Sequence, residues 1–106
     1  MVTIETFRKL AMSFPDTNEE AHFEKISFRI NKKIFATFDK KNNHAVLKLN
    51  EIDQSVFCAS GEMSFYPLPN KWGKQGWTII ELSKVRPDMF EDALEYSYKN
   101  VISKKT

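Results

Sequence analysis

The 106-residue sequence has one cysteine, three glycines and two histidines. Each scarcity excludes something. Cys58 alone cannot form an internal disulfide, so a reducing cytoplasm is the expected compartment. Three glycines leave no phosphate-binding loop, and Gly73-Lys74-Gln75-Gly76 lacks the spacing and the strand-to-helix context of one. His22 and His44 lie in different elements, with no carboxylate or cysteine at metal-ligand spacing around either. A structural role is expected for His22 among Glu19, Glu20 and Glu24, and a solvated one for His44 in a turn. No nucleophile elbow is present, so no catalytic activity and no cofactor are expected. No apolar run approaches the ~20 residues that span a bilayer, and Met1–Ser13 lacks a signal peptide's basic start and apolar block.

What is present is an ordinary globular composition, 42% hydrophobic, 28% charged and 13% aromatic. At this length one domain covering residues 1–106 is expected. Ile4, Phe7, Leu10, Ala11 and Phe14 form one helical stripe, with Thr3 as N-cap and Pro15 at the end. Asp16–Glu24 reads as an acidic connector. Ile26, Phe28 and Ile30 then alternate with polar residues, as in a half-buried strand. A hairpin through Lys32-Lys33 returns as Ile34–Asp39, and Lys40-Lys41-Asn42-Asn43 turns into a third strand, Ala45–Leu49.

Asn50 can cap a short helix with Ile52, Val56 and Phe57 on its buried side and Ser60-Gly61 at its end. Met63–Pro67 is short and β-like, Leu68–Gly76 reads as a loop, and Trp77–Leu82 returns to strand. Pro87 suits the first position of a last helix. Its inward face would be Met89, Phe90, Ala93, Leu94, Ser97, Tyr98, Val101 and Ile102, with Lys99, Lys104 and Lys105 toward its C-terminal end. The order α-β-β-β-α-β-β-α implies an α+β fold, a two-layer sandwich with an antiparallel β-sheet and helices on one face.

The net charge is only +2, from 16 basic and 14 acidic residues. Residues 25–48 nevertheless hold seven basic residues and one acidic, and residues 71–86 hold four and one. The remaining segments are acidic. The strand-forming segments therefore predict a basic sheet face able to meet a polyanion. Lys32, Lys33, Lys40, Lys41, Lys48, Lys71 and Lys74 are the candidate phosphate contacts, and Arg29 is a candidate bidentate one. Phe35, Tyr66 and Trp72 are candidate stacking aromatics. Trp77, at a strand start, is expected to pack into the core.

Four stretches together resemble the MmcQ/YjbR-like family. They are Ser13-Phe14-Pro15 followed by Asn18-Glu19-Glu20, then Phe28–Lys33 leading into Ile34-Phe35-Ala36, then Ala45–Leu49, and finally Gly76-Trp77 with Thr78–Leu82 and a helix containing Ser97-Tyr98. The resemblance implies a CyaY-like fold and DNA binding by a "double wing" of β-hairpins. The wings would be the hairpin at Lys32-Lys33 and the loop Lys71–Gln75. Frataxin-like proteins share that fold and bind iron through an acidic helix surface, but Glu5, Asp16, Glu19 and Glu20 are too sparse for that role. The expectation is thus a small non-enzymatic protein that binds DNA, single- or double-stranded, with little sequence preference. The alternative is a protein-interaction module in which the exposed sheet face, with Phe35 and Trp72, receives an acidic protein or a second copy.

Overall fold

A computed structural model describes residues 1–60 and 63–103. Gly61, Lys104 and Lys105, assigned above to helix ends, lie outside the described residues. The strands β1 (Thr17–His22), β2 (Lys25–Ile30), β3 (Lys33–Asp39), β4 (His44–Lys48), β5 (Phe65–Pro67) and β6 (Trp77–Glu81) form one sheet in the order β1-β2-β3-β4-β6-β5. Every neighbouring pair is antiparallel. The helices are α1 (Ile4–Met12), α2 (Glu51–Ser60), α3 (Lys71–Lys74) and α4 (Pro87–Ser103). This is the α+β sandwich the periodicities predict, with its elements in the predicted order. Two elements are added, β1 within the acidic connector and α3 within the loop. Among the described residues no helix is long and apolar enough to cross a membrane.

One face of the sheet carries the core. Phe28, Ala36, Phe38, Ala45, Leu47 and Ile80 point into it, and Phe7 and Ala11 of α1 and Phe90, Ala93, Leu94 and Val101 of α4 close it. Phe7 meets Phe28 and Phe90 at ring-centroid distances of 5.0 Å each, the second pair edge to face. Thr3 caps α1 by accepting from the Thr6 amide, and Asn50 caps α2 by accepting from the Asp53 amide at 2.7 Å.

The β2–β3 hairpin turns on Asn31 and Lys32, at φ +50° and +69°, rather than on Lys32-Lys33. Two consecutive left-handed residues make the primed turn that matches strand twist, and Asn supplies the first of them. Past the turn Arg29 pairs with Ile34 while Phe28 pairs with Ala36, so Phe35 is the extra residue of a β-bulge. The bulge lets Phe35 and Ala36 both reach the core. Phe35 is fully buried, its ring 5.7 Å from that of Tyr98. It therefore cannot serve as the exposed stacking or docking aromatic expected from strict alternation.

Candidate nucleic-acid interface

Strand parity decides which side chains reach the open face. Along β6, Thr78 and Ile80 take the core side, so Trp77 and Ile79 take the other. Lys48 pairs with Trp77, Val46 with Ile79, and Thr37 with Val46 across the strands. Trp77 is thus half-buried on the open face instead of packing into the core. With Thr37, Val46, Leu68, Trp72 and the side chain of Lys25 it lines a shallow depression of about 290 Å³. Trp72 is 47% exposed. The Lys48 ammonium lies 5.7 Å from the Trp77 ring centroid, and the Lys71 ammonium 5.9 Å from that of Trp72.

The segment carrying Trp72 is fixed from several sides. Asn70 caps α3 by accepting from the Trp72 amide at 2.9 Å. The Leu68 amide donates to the Trp77 carbonyl at 3.1 Å, and the Leu49 amide donates to the Gly76 carbonyl at 3.0 Å. Gly76 has φ +106°, and a Cβ there would collide with the Leu49 carbonyl. The Gln54 side-chain amide reaches in from α2, 2.9 Å from the Gly73 carbonyl, 3.1 Å from Thr78 Oγ1 and 3.3 Å from the Trp77 carbonyl. The Lys48 ammonium donates to the Gln75 carbonyl. Backbone fixed this way holds the Trp72 ring at the rim of the depression.

The candidate cations fall into separate groups. Lys48 and Lys71 stand beside the two tryptophans, and Lys74, also on α3, lines the separate groove with Gln54 and Pro67–Lys71. Lys32 and Lys33 lie at the same end of the sheet, because the start of β3 runs beside the end of β4. The two segments that the resemblance maps as wings therefore share one end. Arg29 is engaged on the open face, its Nε donating to Ser27 Oγ at 3.1 Å and its guanidinium 3.8 Å from Glu20.

Lys40 and Lys41 lie at the opposite end, in the β3–β4 turn, a strand length or roughly 15–20 Å away. The Lys40 amide donates to the Glu24 carbonyl, which joins that turn to the β1–β2 turn. At this end Lys25, Asp39, His44 and Glu81 stand in one cross-strand row, which sets two carboxylates in line with the lysine. Asp39 stays ionised below the usual carboxylate range, chiefly through its hydrogen bond from the Asn42 side chain, with the Asn42 and Lys41 amides and Lys25 adding to it. The basic face expected from the segment charges is thus partly neutralised, and its cationic end is the one at α3.

His22 packs edge-on against Phe23, and His44 against Tyr66. The Tyr66 hydroxyl is pushed above its ordinary range by burial and by the charge and hydrogen bond of Glu81. Burial alone raises the half-buried Cys58 thiol. Among the described residues no three His, Cys, Asp or Glu side chains gather as a metal site. Periodicity missed Lys25, Trp77 and Gln54. Assigning Thr78 to the core would have placed Trp77 on the open face, and a glutamine beside the buried Phe57 was the available hint of Gln54.

A family model described as YjbR matches residues 12–100. The chain belongs to the YjbR family. A solved structure, the Deinococcus radiodurans protein DR2400 with a DUF419 domain, superimposes with a TM-score of 0.84 at 20% identity. The match covers 98% of this chain and 81% of that one. At that identity the likeness supports the shared fold of the YjbR chain and nothing finer. No curated protein matches the sequence.

Proposed function

We propose that the chain is a non-enzymatic module that binds single-stranded DNA without sequence preference, at the α3 end of its open sheet face. The observation that carries this reading is the pairing of exposed Trp72 with Trp77 across one shallow depression, with Lys48 and Lys71 ammonium groups beside their rings. Aromatic faces stack unpaired bases of any identity while lysines neutralise the backbone. A duplex keeps its base faces stacked on one another, so the tryptophans favour a single strand. Lys71, Lys74 and Lys48 flank the track, Lys32 and Lys33 extend it from the neighbouring hairpin, and Arg29 is a weaker contact because Glu20 competes for it. Lys40 and Lys41 contribute only to a strand long enough to cross the face. Burial of Phe35 removes much of the aromatic surface on which docking of an acidic protein would rest.

Fluorescence anisotropy with a labelled oligothymidylate and a matched duplex tests the reading. Binding should favour the single strand and weaken steeply between about 50 and 200 mM salt. Absence of binding at the lower salt, or unchanged affinity in Lys71→Ala/Lys74→Ala, contradicts it.

A further inference from the structure

α2 carries more apolar surface than the fold uses. Of its ten residues only Phe57 is buried. Ile52 and Val56 are 76% and 58% exposed, although an inward orientation is what their sequence position suggests. They lie one turn apart on one face of the helix. Both are β-branched and no better than middling helix formers, so helix propensity does not account for them. Phe57, next to Val56, meets the ring of Tyr96 on α4 at 5.8 Å, and Tyr96 is itself exposed. Ile52 and Val56 thus form an exposed apolar strip on α2, which Phe57 ties to the exposed Tyr96 of α4.

The strip has an acidic rim. Glu51 and Asp53 stand in the first turn of α2, which has no basic residue anywhere along it. Asp92 and Glu95 of α4 line a hollow of about 180 Å³ with Tyr96 and Lys99. Lys99 is the one cation of that hollow, and Glu95 holds it at 2.8 Å. Among the described residues Glu51, Asp53 and Asp92 have no ion pair.

We propose that this face docks a basic amphipathic helix of another protein. The helix would lay its apolar side on Ile52, Val56 and Tyr96 and direct its Lys or Arg residues at Asp53, Asp92 and Glu51. Charge selects this occupant. A second copy would bring the same acidic rim against itself, and an anionic membrane or a nucleic acid would be repelled. The site lies on the helical layer and does not depend on the open sheet face.

Isothermal titration calorimetry of the full chain with a synthetic Leu/Lys peptide of about 16 residues, its leucines at helical spacing, tests the proposal against a scrambled peptide of the same composition. The amphipathic peptide should bind at least about tenfold more tightly than the scrambled one. Ile52→Glu/Val56→Glu should abolish that preference, with the far-UV circular dichroism melt confirming the fold. Ile52→Lys alone, a milder surface change, should weaken binding in the same direction. Equal affinity for both peptides, or a preference that survives in these variants, overturns the proposal. So does concentration-dependent dimerisation by sedimentation that Ile52→Glu/Val56→Glu abolishes, because the occupant would then be a second copy.

Discussion

The Ser97 hydroxyl of α4 donates to the Phe35 carbonyl of β3 at 2.6 Å, and both residues are fully buried. Phe35 is the bulged residue, so its carbonyl is out of step with the β2 ladder. A serine in the middle of an otherwise apolar helix face supplies the missing donor. Ser97→Ala leaves a buried acceptor without its partner and should cost about 1–3 kcal/mol. Urea unfolding should show a lower midpoint with an unchanged slope.

Gly76 holds the entry to β6 against Leu49 with a backbone that side chains rarely adopt. Gly76→Ala adds both conformational strain and a collision, and should cost more than the ~1 kcal/mol of an ordinary unfavourable glycine replacement. The damage should spread to the adjacent α3. Trp72 and Trp77 emission should shift in the native state as well as the unfolding midpoint.

Asp39 ties the β3–β4 turn by accepting from the Lys41 amide at 3.1 Å and the Asn42 side chain at 2.8 Å. Its folded-state pKa lies below the usual aspartate value of 3.8. A depressed carboxylate stabilises the fold fully above the unfolded value, and that contribution is lost as pH falls through the folded one. The stability difference between the protein and Asp39→Asn should therefore be constant above about pH 5 and shrink below about pH 4. Unfolding curves collected from pH 7 to pH 2 check it.

Cys58 is half-buried, and burial disfavours its thiolate. Ellman's reagent should react slowly with the native protein at neutral pH and much faster after addition of denaturant. Fast native labelling would mean that α2 opens readily.

Much of this fold is written in its periodicities, and the failures have local causes. The alternation of Ile26, Phe28 and Ile30 and the stripe Phe90, Ala93, Leu94, Ser97, Tyr98, Val101 put those residues where they are found. Ile102 departs from its stripe and is half exposed, although Val101 beside it is buried. β1 is an edge strand of Thr, Asn, Glu, Glu, Ala and His with no fully buried residue, so it carries no alternation. Its membership in the sheet comes from pairing with β2, and Glu19 adds an ion pair to Arg8 of α1 at 3.0 Å. Strict alternation sets Phe35 on the open face, but the bulge shifts parity by one residue and buries it. Trp77 takes the open face because the core accepts Thr78, whose hydroxyl is satisfied by the Gly76 carbonyl and Gln54. The cationic residues are visible in the sequence, and the turns at Lys32-Lys33 and Lys40-Lys41, on either side of one strand, must lie at opposite ends of the sheet. Which end receives Lys71 and Lys74 depends on the pairing of β4 with β6, which a single sequence does not reveal.

Unpaired bases should stack at Trp72 and Trp77. Two-dimensional ¹H–¹⁵N spectra resolve one indole N–H for each tryptophan, so titration with an oligothymidylate reads the site directly. Both indole signals and the Lys71–Lys74 amides should shift together, and Trp72→Ala should weaken binding by about 1–3 kcal/mol. Unmoved indole signals, shifts confined to the Lys40–Asn43 turn, or full affinity in Trp72→Ala would contradict base stacking at the two tryptophans.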